Sequence, residues 1–337
     1  MWKKLGLGLI TALAACTLLA GCGGDAKSND GSKNTPPEPP IKKLDLKIGS
    51  VNAKYYPLLN ESQQVISGSS VGISGEELYA YNRDKKAIQK YEIKRDKLVM
   101  KKDNFIRRVP YSATDPCFAV TGRSIIVAAG HNVYGFSRYS SFVDVLAKHQ
   151  MPYIRTSSTS KKLYGWKSDT TIYTAELNDK AQIVNRKTPS KYQRSYQSGP
   201  PSAYLTKIAH MAGEFNGFYI FGDRRVEGSS CGVAYFMDLN GKIQKRFNYA
   251  PKGDAAYVKE ANGGAVTDKY VVLSDQSHIA IYDKKTSNYL GSASMKEPLG
   301  NKAVKAVIHS GDKNAFYIMA QGAPGDNTDS TIYRVEL

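Results

Sequence analysis

The sequence predicts an all-β fold, a six-bladed β-propeller, on three observations. A phrase of alternating residues with an aromatic near its middle recurs six times, short strand-forming runs fill the intervals, and helical periodicity is almost absent. The recurrences are Leu78-Tyr79-Ala80-Tyr81-Asn82, Val133-Tyr134-Gly135-Phe136, Ile172-Tyr173-Thr174-Ala175-Glu176-Leu177, Ala234-Tyr235-Phe236-Met237-Asp238-Leu239, Ile279-Ala280-Ile281-Tyr282-Asp283 and Ile332-Tyr333-Arg334-Val335-Glu336-Leu337. They stand roughly 40 to 60 residues apart, the spacing of propeller blades. Most run into Asn, Asp or Gly, which accept the left-handed backbone of tight hairpins.

Between recurrences the chain parses into further short strands. Residues 117–148 give four: Cys117–Val120, Ser124–Ala129, Asn132–Ser137 and Phe142–Ala147. Residues 263–294 give four more: Gly264–Thr267, Tyr270–Ser274, Ile279–Asp283 and Tyr289–Ser294. Four short antiparallel strands per repeat describe a blade. The last repeat stops at Leu337 in its third strand, and residues 41–50 form a strand with no repeat of their own. A ring closed by that N-terminal strand completes the final blade and removes exposed edges; it resembles the closure of propeller families generally. No WD dipeptide or kelch glycine pair names a subfamily. Residues 49–68 and 186–204 parse poorly, so seven blades is the competing count and a β-sandwich array the competing fold.

The N-terminus carries an address. Lys3 and Lys4 precede an uncharged, Leu- and Ala-rich run, which exits through Leu19-Ala20-Gly21-Cys22. A basic start, an apolar stretch and small residues at the exit describe a secretory signal. The last four residues resemble the lipobox of bacterial lipoproteins. That resemblance implies cleavage after Gly21 and acyl chains, palmitate among them, on Cys22. The competing reading is a spanning helix, because the uncharged run from Leu5 to Gly24 reaches the length that crosses a bilayer. Two or more acyl chains anchor stably without one. Residues 23–40, GGDAKSNDGSKNTPPEPP, have almost nothing to bury and read as a disordered tether. The expected organisation is a signal peptide at 1–21, a lipidated cysteine and tether at 22–40, and a propeller at 41–337. The expected location is the cell envelope, outside the cytoplasm, on an outer membrane or the cell surface.

Beyond the tether, 43 Lys plus Arg stand against 27 Asp plus Glu, a net of +16. Such a field favours anionic partners. An exported chain is expected to meet glycans, envelope proteins and lipid headgroups rather than nucleic acid. Once Cys16 is removed and Cys22 acylated, Cys117 and Cys231 remain in a compartment that permits disulfides. They are expected as separate buried thiols, with pairing the alternative.

Sequence-local catalytic signals are weak. Gly68-Ser69-Ser70-Val71-Gly72 matches the nucleophile-elbow spacing, but that motif needs a following helix, and a strand pattern follows instead. His131, His149, His210, His278 and His309 form no close pair. His210 and His309 each end a first-strand run and could meet at one level of the axial channel, yet two imidazoles are too few for a metal. Asp326-Asn327-Thr328-Asp329 lacks the full calcium-loop pattern. No metal or other cofactor is expected.

One stretch stands out. From Val145 to Gly213 eleven basic residues face only Asp169, Glu176 and Asp179, a net of +8. Aromatic residues are interleaved, and Lys187–Tyr204 makes a long connection. Basic groups attract polyanions while aromatic faces stack on sugars. The binding residues expected are Lys161, Lys162, Trp166, Lys187, Lys191, Tyr192, Arg194, Tyr196 and Tyr204; a solvated lysine-rich surface is the alternative. The expected function is a monomeric binding or scaffold module, without catalysis of its own, for an anionic glycan or an envelope protein. A channel-centred metal-dependent lyase or glycan hydrolase is one alternative, and a cell-surface adhesin is another.

Overall fold

In the computed structural model the described residues are 41–60, 66–67, 70–107, 109, 117–120, 124–129, 132–137, 143–148, 153–156, 162–166, 172–177, 183–187, 205–214, 216–226, 229–238, 242–247, 258–322 and 329–337. Every regular element among them is a strand.

Four sheets hold four strands each. They are β8–β11 (Cys117–Val120, Ser124–Ala129, Asn132–Ser137, Val143–Lys148), β12–β15 (Tyr153–Thr156, Lys162–Trp166, Ile172–Leu177, Ile183–Lys187), β16–β19 (Leu205–Glu214, Gly217–Val226, Ser229–Asp238, Ile243–Phe247) and β20–β23 (Gly263–Val266, Tyr270–Ser274, His278–Asp283, Tyr289–Ser294). The remaining sheet has ten strands. It joins β4–β7 (Ser70–Ser74, Glu77–Asn82, Ala87–Lys94, Lys97–Ile106) to β24–β26 (Ala303–Ile308, Ala315–Gln321, Asp329–Glu336) through β2 (Val51–Asn60), with β1 (Leu44–Ile48) on β2 and β3 (Ile66–Ser67) on β26. The link between β2 and β7 is a short parallel one, Leu59 to Lys97 and Asn60 to Leu98.

The six aromatic phrases lie on β5, β10, β14, β18, β22 and β26, one in each four-stranded group. Five are third strands; the first is a second strand. Central strands such as β25, AFYIMAQ, are buried almost throughout because their sheets are covered on both faces. Leu78, Ala80, Tyr91 and Leu98 pack on Tyr317, Met319 and Ile332 of the last group. On the other face Tyr79, Tyr81, Ile88 and Phe105 meet Ile125, Val127 and Phe136 of the next sheet.

First strands adjoin first strands. β4 touches β8, β8 touches β12, and the order continues through β16, β20 and β24, which touches β4 again.

The N-terminal pairing differs in detail from the expectation. β1 pairs only with β2, and it is β2 that lies beside β26, in the register Lys54 to Glu336 through Leu58 to Ile332. Pro57 obscures β2 in the sequence, since proline argues against a central strand. It is accommodated because β1 pairs with β2 up to Tyr55 and β7 only from Leu59, so among the described residues no strand flanks Pro57 on that side. Leu46, Ile48, Val51 and Ala53 are buried against Val272, Ile279 and Val335. The hairpin turn is fixed to the neighbouring sheet by Ser50 N, which donates to the Leu290 carbonyl at 3.0 Å.

Candidate functional site

Within each antiparallel group the first-to-second and third-to-fourth connections fall at the same end. Hydrogen bonds between sheets join the turns of β16–β19, β20–β23, β24–β26 and β4–β7 into one surface. Gly75 N donates to Ser310 O, and Asp268 N to Lys313 O, tying the first-to-second turns of three consecutive groups. Lys284, in the third-to-fourth turn after β22, donates to Glu214 at 2.5 Å and to Thr267 O at 3.1 Å, with its ammonium 6.0 Å from the Tyr219 ring centre. Lys245 reaches the Lys284 carbonyl at 2.9 Å. Burial and the Glu214 carboxylate both push the Tyr219 phenol above its usual range.

Two clefts open beside this surface. The first, about 260 Å³, lies at the seam between the last group and β4–β7. Arg334 donates to Tyr317 Oη and to Asp312, each at 2.8 Å, and lies 3.3 Å from Glu336. Glu336 also accepts from Lys43 at 2.5 Å and from Tyr56 Oη at 3.1 Å. Burial works to raise the Glu336 pKa, but the bonds from Lys43 and Tyr56 and the charges of Lys43 and Arg334 outweigh it and leave it lowered. Ile41, Gly75, Glu76, Ile93 and Arg95 complete the lining.

The second cleft, about 550 Å³, is lined by Glu76, Glu77, Lys90, Glu92, Lys101, Lys102 and Phe105. The pairing of β6 with β7 slips between Lys90–Lys102 and Tyr91–Met100, leaving Lys101 as an extra residue. A bulge re-aims side chains, which is how consecutive lysines come to line one cleft. Lys101 pairs with Glu92 at 2.6 Å and Lys90 with Glu77 at 2.7 Å. Lys90 and Lys102 sit 5.6 and 5.8 Å from the Phe105 ring centre. The Lys101 bond holds the Glu92 carboxyl below its usual pKa.

His210 and His309 do not meet. His210 lies in β16, buried beside Phe221 with ring centres 6.0 Å apart. His309 follows β24, and the first strand β20 stands between the two. Burial lowers the His309 pKa to about 4 against a bond to the Val266 backbone, and its Nδ1 is buried without a protein partner. Among the described residues no group of three His, Cys, Asp or Glu could hold a metal. Cys117 and Cys231 are both buried and stand as separate thiols, with no disulfide between them. No helix follows Ser70, which opens β4 and leads through Gly75 to β5.

Of the binding residues read from the sequence, Lys162 and Trp166 begin and end β13, and Lys187 ends β15. Lys162 stands opposite Glu176, and Lys187 opposite Thr174 on the other side of β14. Lys161, Lys191, Tyr192, Arg194, Tyr196 and Tyr204 lie outside the described residues, as does Cys22. The seam residues carried no local signal, because Lys43 and Tyr56 meet Arg334 and Glu336 from opposite ends of the chain.

No family model and no curated protein matches the chain. Among solved structures it is similar to U3-55K, at 8% identity over 84% of this chain and 98% of that one, with a TM-score of 0.51. It is likewise similar to the WD40 repeats of RRP9, at 9% identity over 87% of this chain and 100% of that one, TM-score 0.51. Identities this low speak to architecture alone: the chain has the β-propeller fold of these WD40 structures, without a WD dipeptide of its own.

Proposed function

We propose that this chain is a lipid-anchored, extracytoplasmic β-propeller of six blades that acts as a monomeric binding or scaffold module for an anionic glycan or an envelope protein. The count of six is supported by the unbroken order of first-strand contacts from β4 through β24 and back to β4. N-terminal closure is supported by β2 beside β26.

One observation carries the functional reading. The sheets β4–β7, β20–β23 and β24–β26 use both faces to hold their neighbours, which leaves the strand ends and their turns for a partner, and charged side chains populate them. Such a frame presents a recognition surface on a rigid body. The basic stretch 145–213 adds a field that draws anions.

The test replaces Lys187, Lys191 and Arg194 with Ser together. Weaker binding to an anionic glycan panel and a flatter salt dependence are expected, with the melting temperature unchanged. Equal binding by parent and triple variant, or no binding by either, removes the glycan reading.

A further inference from the structure

We propose that the turn surface described above faces an anionic lipid bilayer, so that the domain docks by charge as well as being held by its tether. This rests on the lipid-anchor reading and names the surface that reading would present.

Where the chain joins the domain is the first observation. Ile41, the first residue after the tether, lines the seam cleft beside Gly75, Glu76 and Arg95, which belong to turns of that surface. On the tether reading, its 18 residues would span only about 23 Å as a coil. On that reading the surface from which the tether leaves is the one held near the membrane.

The second observation is how charge is divided there. Among the described residues of these turns, five acidic groups are held by protein partners. Glu214 holds Lys284, Asp312 holds Arg334, and Glu336 holds Lys43. Asp238 accepts from Lys242 N and Gln244, and Asp283 from the Thr286 amide and hydroxyl. The cations are turned outward: among the described residues Lys97, Lys242, Lys269, Lys285 and Lys313 are all exposed, opposed among exposed acids of these turns by Glu76 and Asp268. The turns are stapled to one another across sheets, so these cations occupy a fixed surface and act together.

A lysine close to an anionic bilayer contributes roughly a fivefold gain in affinity, and the effect dies within about a screening length of 8 Å. Lysines at the opposite end of the propeller are beyond that reach.

The experiment uses the mature chain, residues 22–337, carrying Cys22→Ser, so that no acyl chain contributes. Sedimentation with vesicles containing phosphatidylglycerol is compared with phosphatidylcholine vesicles across a salt series. One variant changes Lys242, Lys269, Lys285 and Lys313 to Ser. A second, with the same charge change, alters Lys85, Lys86, Lys259 and Lys296, which occupy turns and connections at the other end. Salt-sensitive binding to the anionic vesicles is expected, reduced at least a hundredfold in the first variant and within about threefold of the parent in the second. Equal loss in both variants would make net charge the cause and overturn the proposal. So would absence of parent binding. Fatty-acid labelling of the unmodified protein tests the anchor separately: an unlabelled protein refutes the anchor whatever the vesicles show.

Discussion

Two glycines decide whether the N-terminal hairpin can reach the neighbouring sheet. A Cβ on Gly49 would stand 2.3 Å from the Gly291 Cα, and one on Gly291 would stand 2.2 Å from the Gly49 Cα. Both obstacles are backbone, which cannot rotate away. Gly49 also has φ +57°, where a side chain is strained. Gly49→Ala should therefore destabilise the domain by about 2–4 kcal/mol. Gly75→Ala is the comparator, having nearly the same φ of +58° but nothing within 4 Å of the added carbon. It should cost about 1 kcal/mol, the backbone part alone. Urea melts that rank the two variants equally would mean the close approach is unimportant. The seam adds a pH dependence. Glu336 has a lowered pKa in the folded chain, so its stabilisation is complete above the ordinary Glu value near 4.3 and is lost as pH falls through the folded one. Glu336→Gln should lower the melting temperature at pH 7 and lessen its fall between pH 5 and 3. Parallel profiles for parent and variant would dismiss that role.

At the scale of elements, the truncation series separates three contributions. If residues 23–40 are a tether, as their composition predicts, starting the chain at Ile41 should leave the melting temperature unchanged. Starting at Val51 removes β1, whose Leu46 and Ile48 are buried at 6% and 0% exposure; at about 1.5–3 kcal/mol for each such side chain, the loss is about 3–6 kcal/mol. Starting at Glu61 removes β2 as well, stripping β26 of its partner on the side away from β25 and exposing a long edge, and this chain should not fold. A start at Val51 as stable as one at Ile41 would argue that β1 is ornamental. Much at this scale was legible beforehand. β8, β9, β10, β21 and β23 carry the boundaries read from alternation and turn residues, and β11, β20 and β22 differ by one residue at one or both ends. β2 was missed because Pro57 interrupts it, and the proline is tolerated only through a gap between β1 and β7 that is a tertiary fact. The first aromatic phrase fell on a second strand because Leu78-Tyr79-Ala80-Tyr81 and the following strand, with Tyr91, both fit the pattern.

For the whole molecule, what the sequence conveys depends on how far apart the participating residues lie. Composition makes the surface basic, but the seam cleft joins residues 43 and 56 to 334 and 336, and the turn surface gathers lysines from several repeats. Neither leaves a motif. The address is the opposite case, because every residue it needs is contiguous. The two readings of the N-terminus make opposite predictions. Residues 5–24 are uncharged and long enough to span a bilayer, so a spanning helix would keep Met1 on the mature protein and need no fatty acid. A lipobox reading instead places the new N-terminus at Cys22, with acyl chains that hold the membrane stably by themselves. Leu19-Ala20-Gly21-Cys22, followed by Gly-Gly-Asp, fits processing better than continuation of a helix, since glycine weakens helices and the charge arrives immediately after. Mass spectrometry of the membrane-extracted protein should find Cys22 as the first residue, heavier by a diacylglyceryl group. Cells fed an alkyne fatty acid should label the parent and not Cys22→Ser. A mature protein that begins at Met1, or a Cys22→Ser chain that still takes up the label, would return the segment to a spanning helix and leave the propeller without its lipid.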